Sequence, residues 1–402
     1  MSNPIIKTYE PQFYKNFQCI GGDCEDTCCA GWNVHIDKDT YQKYQKLTEP
    51  SLKERFDTQM KLKEENWQDK ENYEIVATIQ MDEKHNCPFC NKQGLCDIQK
   101  TVGEEHLSDT CTLYPRKTSF YINALNSSLM LSCPEAARKV LLEDKLTFEY
   151  SEKEAPALHQ VDKALHGNDE NQNFYQIQEF LIRTLQNREQ SLETRLFATA
   201  YFCQKLDERP EKLKRWMTKV ESLLNDGSFQ KQFSQLETDI EVSLSFIHKF
   251  FEGIALNGAY RLVECLNSYR DGLGINNDKI DSKEKFTQAA KTLFDPFVDE
   301  KKNLLENYCV HYIYTAGLPY AESMNSFKNF SQLIIHYSMI KTLCIGIAAE
   351  QGFIDEATVI KVVQSLTKIV DHNDQNLASF IKYLEENDGL TLAHMAVLLK
   401  HS

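Results

Sequence analysis

The sequence predicts a mainly α protein, in which a cysteine-rich, irregular α+β N-terminal domain precedes an all-helical C-terminal domain. Residues 1–150 show no sustained helical period and contain nine of the thirteen cysteines. From Phe174 onward, apolar residues recur at i, i+3, i+4 and i+7, which is the pattern of amphipathic helices. Residues 151–173 are polar and include a proline and a glycine, as is typical of a connection. We therefore predict domains at 1–150 and 174–402, joined by a linker at 151–173.

Four elements are predicted in the N-terminal part. Asp37 is a good N-cap for a helix over 38–60. The alternating pattern of 74–81 predicts a strand, and 119–126 is a second strand candidate. Pro134 suits the first position of a helix that follows it directly, because that position needs no backbone N–H.

The C-terminal part reads as consecutive helices. One apolar face spans 330–347, and Gly317 and Pro319 separate it from the helix before. Thr358 is predicted to cap a helix whose apolar residues lie three and four apart. Thr391 is predicted to cap a last short helix. The cysteines in this part stand singly, mostly on apolar stripes, and are predicted to be buried core residues: Cys203, Cys265, Cys309 and Cys344.

Composition excludes some classes of function. The formal net charge is −14, and no basic stripe is visible, so nucleic acid is not an expected partner. No stretch approaches about 20 continuous apolar residues, and the first residues lack the apolar region of a signal peptide. We therefore expect a cytoplasmic protein without a membrane partner. In that reducing compartment, clustered cysteines indicate metal binding or catalysis rather than disulfides.

The N-terminal cysteines have the short spacings of metal ligands. They run as Cys19-x4-Cys24-x3-Cys28-Cys29, Cys87-x2-Cys90-x5-Cys96, Cys111 and Cys133. Thiolates are soft donors that bind zinc and iron well, and four of them can complete a site. Spacing alone leaves open whether the metal is zinc or an iron–sulfur cluster, and whether there are one or two sites. The helix predicted after Cys133 should lower the pKa of its thiol. Three histidines among the cysteines are further ligand candidates: His35, His85 and His106.

Several ordered segments carry a family resemblance. They are FQCIGGDCEDTCCAGW at 17–32, GLCDIQK at 94–100, LSDTCTLYPR at 107–116 and SCPEAAR at 132–138. Together they resemble the flagellin lysine N-methylase family, and the resemblance continues weakly at 306–308 and 318–319. The cysteine part also looks like the CxxCxxCC-type metal-chelating proteins.

This resemblance implies the transfer of methyl groups from S-adenosylmethionine to lysine side chains of flagellin. It also implies an iron–sulfur cluster of the [4Fe–4S] type, with zinc as the alternative metal. The ligand candidates carried over are Cys19, Cys24, Cys28, Cys29, Cys87, Cys96, Cys111 and Cys133. Cys90 is ranked last, because we expect an apolar residue there in relatives. The sequence contains neither a Cys-x3-Cys-x2-Cys motif nor a Gly-rich dinucleotide-binding turn, so no motif assigns the S-adenosylmethionine site.

The reaction suggests four more candidate residues. A lysine amine attacks a methyl group only when it is neutral, so a base or a pKa-lowering environment is needed. Tyr114 and Asp109 are the catalytic candidates, although a packed turn residue and a turn cap are the structural alternatives. Arg116 and Arg138 can bind the carboxylate of S-adenosylmethionine, with a salt bridge as the alternative.

A function of another class remains open at the level of sequence. The same cysteines would suit a non-enzymatic zinc- or iron-chelating or redox-sensing protein whose helical part docks a partner. The absence of a recognisable S-adenosylmethionine motif favours this alternative, whereas the order of the motifs favours the enzyme.

Overall fold

A computed structural model gives the fold of the chain. The structure describes residues 4–63, 68, 74–156, 161, 163–168, 171–236, 240–254, 256, 258–275, 283–320, 325–371 and 374–400. The protein is mainly helical and contains two β-sheets near the N-terminus. The mainly α fold class is thus confirmed. No strand follows His166 in the part of the chain that the structure describes.

The larger sheet has five strands in the order β7-β1-β6-β5-β8. Its strands are β1 (Ile5–Pro11), β5 (Arg116–Ile122), β6 (Ala124–Leu129), β7 (Phe148–Glu154) and β8 (Lys163–His166). The single strand predicted for 119–126 is wrong, because the chain reverses within it. Ile122 has a φ of 59° and starts the tight turn, so β5 and β6 form an antiparallel hairpin in which Ser119 faces Asn126.

The smaller antiparallel sheet packs with two short helices. It consists of β2 (His35–Asp37), β3 (Met60–Leu62) and β4 (Ile75–Ile79), with β4 in the middle. The strand predicted at 74–81 is β4. The predicted helix 38–60 is in fact two helices, α1 (Lys38–Gln45) and α2 (Pro50–Gln59). The Asp37 carboxylate accepts the backbone N–H of Thr40 at 2.8 Å, which confirms the predicted cap. Pro50 separates the helices, since a residue before proline is driven out of the helical region.

Three short helices carry cysteines at or near their first residues. They are α3 (Asp97–Val102), α4 (Asp109–Leu113) and α5 (Pro134–Leu141). Cys96 and Cys133 are the N-cap residues of α3 and α5, and Cys111 lies within α4. The predicted start of α5 at Pro134 is confirmed.

The rest of the described chain is helical. The helices are α6 (Phe174–Leu185), α7 (Leu192–Glu208), α8 (Leu213–Asn225), α9 (Ser228–Gln235), α10 (Ile240–Gly253), α11 (Tyr260–Leu273), α12 (Lys283–Ala289), α13 (Asp295–Glu300), α14 (Asn303–Ala316), α15 (Ser326–Gln351), α16 (Glu356–Asp371), α17 (Asp374–Glu386) and α18 (Leu392–Leu399). Gly317 ends α14 in the left-handed conformation, and Thr391 caps α18, as predicted. Helix α16 begins two residues before Thr358. The capping residue is Asp355 rather than Thr358, because the Asp355 carboxylate accepts the backbone N–H of Thr358. The four predicted core cysteines are all buried.

Helix α14 connects the helical part to the N-terminal part. Glu306 is completely buried and binds Arg195 at 2.6 Å and Arg188 at 3.0 Å. The Asn307 side chain donates to the backbone oxygens of Leu141, at the end of α5, and Glu143. The weakly family-like segment at 306–308 therefore lies on the face of α14 that joins the two parts.

Helix α15 lies at the centre of the helical part. It is long and apolar enough to cross a membrane, but 89 % of its most apolar window is buried inside the protein. Among the residues that the structure describes, it is the one helix of this kind. Its burial is that of a core helix packed between α7, α11 and α16.

One apolar core contains residues of both predicted domains. It includes Phe13, Leu129 and Val140 together with residues from Phe174 to Leu399. A separate, smaller core lies beneath the three-stranded sheet. The stretch predicted as a linker, 151–173, contains the whole of strand β8 and the last four residues of β7. The domain boundaries stay a prediction, because a shared core does not establish which part folds alone.

Candidate functional site

Six cysteines from three segments form a thiol cluster at the edge of the small core. They are Cys28, Cys29, Cys87, Cys90, Cys96 and Cys111. Backbone contacts bring the segments together: the Cys87 N–H donates to the Cys29 oxygen at 2.7 Å, and Cys90 and Cys96 form an antiparallel bridge. The Cys29 thiol hydrogen-bonds with the sulfur atoms of Cys28 and Cys90. The structure thus places Cys90, which the sequence ranked last, inside this cluster.

Burial and hydrogen bonding give the thiols of the cluster different pKa values. Burial raises the pKa of Cys87 and of Cys111 to about 12. Hydrogen bonding with Cys28 and Cys90 favours the protonated Cys29 thiol and raises its pKa, and the same interactions lower the pKa of Cys28 and of Cys90. The charges of these sulfur atoms also repel one another, so several thiolates can coexist here only with a cation that offsets them.

The remaining three N-terminal cysteines form a second group around the start of α5. Burial raises the pKa of Cys133 to about 12, and the nearby sulfur atoms of Cys24 and Cys19 contribute in the same direction. The predicted lowering of this pKa is therefore wrong. The backbone N–H groups of Glu135 and Ala136 do act in the predicted direction, but desolvation of the nearly buried thiol outweighs them.

The donor set fits a soft metal ion or an iron–sulfur cluster, because thiols from several loops converge and most of them are buried or half-buried, with Cys19 and Cys28 exposed. Among the residues that the structure describes, no three His, Cys, Asp or Glu side chains already stand in ligand geometry. Which of the eight proposed ligands bind metal therefore stays a prediction. Of the histidine candidates, His35 contacts Thr78 at 3.5 Å, and His106 lies 3.7 Å from Glu105. His85 shapes the loop, since its backbone oxygen accepts the Gly31 N–H at 3.0 Å.

A small pocket brings together three of the four residues proposed from the reaction chemistry. We call it the Trp32 pocket. It has a volume of about 230 Å³ and is lined by Trp32, His35, Asp37, Ile75, Asp109, Thr110, Leu113, Tyr114, Arg116 and Met130. The Trp32 and Tyr114 rings lie 4.7 Å apart. Aromatic faces next to carboxylates suit a cationic side chain with an apolar stem.

The candidates in this pocket have different roles. Burial raises the pKa of Tyr114 well above its usual value, and its hydroxyl lies 3.1 Å from Ser132. At neutral pH it is therefore a hydrogen-bonding group and not a base. Asp109 starts α4 and supplies a carboxylate. The guanidinium of Arg116 lies over the Phe17 ring and donates to the Phe17 oxygen at 3.3 Å.

Arg138 lies apart from the Trp32 pocket. Its two terminal nitrogens bind Glu25 and Glu135. For this residue the structure supports the salt-bridge alternative. The pair with Glu25 joins α5 to the loop that carries Cys24.

Sequence reasoning missed the residues of the helical part that hold the cysteine loop. Lys368 on α16 binds the Asp26 carboxylate at 2.9 Å and the Thr27 oxygen at 3.0 Å. Gln364, one turn earlier, donates to Asp26 at 2.9 Å and to the Ser132 oxygen at 2.8 Å. No local sequence pattern predicts these contacts, because the partners lie more than 200 residues apart in the chain.

A second contact between the two parts comes from the start of α11. A Cβ atom placed on Gly258 would lie 2.6 Å from the Gly31 Cα, so only glycine allows this approach. Tyr260 donates to the Lys84 oxygen at 2.8 Å, and Arg261 donates to the Glu25 oxygen at 3.0 Å. The helical part therefore contacts the cysteine loops at two places, through α16 and through the start of α11.

Comparison with known proteins shows the family of the chain. Residues 178–398 match the family described as the FliB lysine N-methylase C-terminal domain. The chain belongs to the lysine N-methylase family. It is 23 % identical to the lysine-N-methylase of Salmonella typhimurium, with 97 % of this chain and 99 % of the relative covered. It is 22 % identical to the lysine-N-methylase of Salmonella choleraesuis over the same share of both chains.

A shorter relative matches part of the chain. The flagellar biosynthetic protein FliU of Salmonella muenchen is 31 % identical over 156 residues, which are 39 % of this chain and 89 % of FliU. No solved structure matches the chain. The family resemblance seen in the cysteine segments is confirmed by matches that reach the helical part as well.

Proposed function

We propose that this protein transfers methyl groups from S-adenosylmethionine to lysine side chains of flagellin in the cytoplasm. The observation that carries the proposal is the match to lysine-N-methylases over 97 % of the chain. The flagellar name of the FliU relative supports a flagellar substrate. The Trp32 pocket supports an enzyme, since it combines aromatic walls with carboxylates, and its Trp32 indole donates to the backbone oxygen of Cys28 in the thiol cluster.

In this proposal the Trp32 pocket receives the lysine side chain. The Trp32 and Tyr114 rings pack against its methylene stem, and Asp109 accepts the proton that the ammonium must lose before it can react. When bound, S-adenosylmethionine supplies a methyl group on a sulfonium that leaves as a neutral thioether. The lysine nitrogen forms the new N–C bond, and the electron pair of the broken C–S bond stays on sulfur.

The thiol cluster is proposed to hold an iron–sulfur cluster of the [4Fe–4S] type, with zinc as the alternative. Four ligands drawn from Cys28, Cys29, Cys87, Cys96 and Cys111 would satisfy one such cluster. Cys90 is a further donor at the same place. The group around Cys133 has three thiols and lies at the start of α5.

The experiment is to incubate the purified protein with S-adenosylmethionine and flagellin, followed by intact-mass and peptide analysis. We expect a gain of roughly 14 Da for each methyl group on lysine. Asp109→Asn should lower the methylation rate about 100-fold, as the loss of a general base does. Glu83→Gln, an exposed acid of the loop before Cys87, should leave the rate unchanged. Absence of any mass gain on flagellin lysines with metal-loaded protein would refute the proposal.

The rival function is metal chelation or redox sensing without catalysis. It is favoured by the thiol cluster itself, in which Cys29 already hydrogen-bonds with Cys28 and Cys90. Brown protein with broad visible absorbance indicates iron–sulfur, whereas colourless protein with stoichiometric zinc indicates a structural site. Metal-dependent thiol oxidation without methyl transfer would favour this rival.

A further inference from the structure

A second cavity shares one lining residue, Met130, with the Trp32 pocket. We call it the His336 cavity. Its volume is about 420 Å³, and helices α14, α15, α16 and α17 form its walls together with the ends of β5 and β6. The residues that matter below are Lys117, Met130, Tyr308, Tyr312, Gln332 and His336. Met130 lines both spaces, so the two cavities are neighbours.

His336 has an unused hydrogen-bonding atom in this wall. The side chain is 2 % exposed, and Tyr308 bonds its Nδ1 at 3.1 Å. Its Nε2 has no hydrogen-bond partner among the residues that the structure describes. Burial lowers the pKa of His336 to about 4, so the ring is neutral at pH 7. Since buried polar atoms are normally paired, the orphaned nitrogen points to a ligand that supplies the missing bond.

The charged and aromatic groups of the cavity specify the kind of ligand. Lys117 brings a positive charge to one end, and no carboxylate lies within ion-pair distance of it in the described part of the chain. The Tyr312 ring lies 5.1 Å from His336 in an edge-on arrangement, and Tyr faces favour cations. A ligand with a carboxylate for Lys117, a polar atom for His336 Nε2 and a cationic group for the Tyr312 ring would match these groups.

The volume distinguishes the two cavities. Small-molecule sites typically enclose roughly 300–1,000 Å³, and the His336 cavity falls in this range. The Trp32 pocket is smaller and carries the carboxylates, which favours a lysine side chain. No carboxylate side chain lines the His336 cavity, so a cationic ligand bound there must carry its own counter-charge, as the zwitterionic end of an amino acid does and a lysine side chain does not.

We propose that the His336 cavity is the binding site of the methyl donor, S-adenosylmethionine. This inference rests on the proposed function, and it assigns the lysine to the Trp32 pocket across Met130. Lys117 pairs with the donor's carboxylate, and His336 Nε2 bonds a polar atom of the ligand. No cysteine lines the cavity. The donor therefore binds to side chains of the helical part and β5, and the thiol cluster is not its anchor.

The test measures binding of S-adenosylhomocysteine, the demethylated product, to full-length metal-loaded protein by isothermal titration calorimetry. Ala378→Trp places an indole on an exposed rim residue and should weaken binding at least tenfold. Ser379→Trp is the matched control, because Ser379 is exposed on the same helix but does not line the cavity. Lys117→Met should weaken binding about tenfold, and Lys117→Arg should restore it.

The outcomes separate this inference from the proposed function. If the wild type binds and methylates flagellin while Ala378→Trp and Lys117→Met bind as tightly as the wild type, the donor site lies elsewhere and the function stands. If thiol-cluster variants that stay folded lose binding while Ala378→Trp keeps it, the cysteines are the anchor and the inference is wrong. If the wild type neither binds nor methylates, both the inference and the proposed function fail.

Discussion

At the scale of single residues, the proposed metal site can be tested one sulfur atom at a time. Cys28 and Cys96 come from different segments that meet at the cluster, and their thiolates repel each other electrostatically. Metal binding would relieve this repulsion and, in such sites, contributes directly to folding free energy.

We expect Cys28→Ser and Cys96→Ser to lose most of the bound metal and to lower the melting temperature. The measurement is metal content per chain by mass spectrometry, with thermal unfolding alongside. Cys90→Ser shows whether Cys90 is a ligand. The controls are Cys203→Ala and Cys344→Ala, which change buried thiols outside the cluster and should keep full metal content. Full metal content in both Cys28→Ser and Cys96→Ser would contradict the ligand assignment.

Two buried histidines, His311 and His336, lead us to expect that the stability of the fold depends on pH. Burial lowers the pKa of His311 and of His336 to about 4, whereas an unfolded histidine has a pKa of about 6.5. His311 lies near Lys117 and bonds the Leu129 oxygen, and His336 faces Tyr308 and Tyr312. Their stability contribution is fully present above pH 6.5. It is lost as the pH falls toward 4, because both histidines are then protonated in the unfolded state but stay neutral in the folded state.

When the pH falls from 7 to 5, we expect the free energy of unfolding to decrease by about 2 kcal/mol for each of these histidines. Urea unfolding at the two pH values measures this loss. In His336→Gln, the loss of unfolding free energy between pH 7 and pH 5 should be smaller than in the wild type by the share of one histidine, which is about half of the loss caused by the two. His394→Gln, at an exposed site, should show the same loss as the wild type. An identical loss in His336→Gln and the wild type would show that this histidine does not titrate as proposed.

At the scale of elements, helix α16 fixes the cysteine loop. Lys368 is nearly buried and pairs with Asp26, whose side chain is 14 % exposed. Lys361 lies on the same helix and pairs with Glu264 at 2.8 Å, but at the surface. The two pairs therefore allow the same substitution to be compared in two environments.

Lys368→Met should lower the free energy of unfolding by about 3 kcal/mol, because it leaves a poorly solvated carboxylate without its cation. It should also weaken metal retention, since the Asp26 loop leads directly to Cys28. Lys361→Met should cost less than about 1 kcal/mol. Chemical unfolding and metal content measure both effects. Equal costs for the two variants would mean that the Lys368 contact does not position the loop.

The elements that the sequence predicted well are those with local signals. Asp37, Pro134 and Gly317 act within one helical turn, so their positions in the chain determine what they cap, start or end. The strand at 119–126 was misread because an extended hairpin has the same β propensity on both sides of its turn. Local signals also sorted the isolated cysteines of the helical part correctly into the core.

The candidate site was only partly predictable for a related reason. Cysteine spacing located the thiol cluster, but its division into two groups depends on which loops meet. Tyr114, Asp109 and Arg116 lie close together in sequence and do share a pocket. Lys368 and most residues of the His336 cavity lie on helices that follow the cysteine segments by more than 150 residues in the chain. Such contacts depend on the packing of the whole chain.

At the scale of the whole molecule, the shared core joins the two predicted domains. Tyr121 of β5 packs on Phe174 with ring centroids 5.4 Å apart, and its hydroxyl donates to the Thr315 oxygen at 3.1 Å. A Cβ atom on Gly317 would lie 2.5 Å from the same Tyr121 ring. The sheet and α14 are thus packed as tightly as two layers of one domain.

This packing predicts that the chain unfolds as one unit. Removal of residues 1–173 would expose the face of α14 and leave Asn303 and Asn307 without the Leu141 and Glu143 oxygens that they bind. We expect the fragment 174–402 to keep helical circular dichroism but to lose a sharp thermal transition, whereas the full chain should show a single transition by both helical and aromatic signals. Buried apolar area lost at this interface, rather than loss of any helix, is the physical cause. A fragment that melts as sharply and at the same temperature as the full chain would instead establish the helical part as an independent domain.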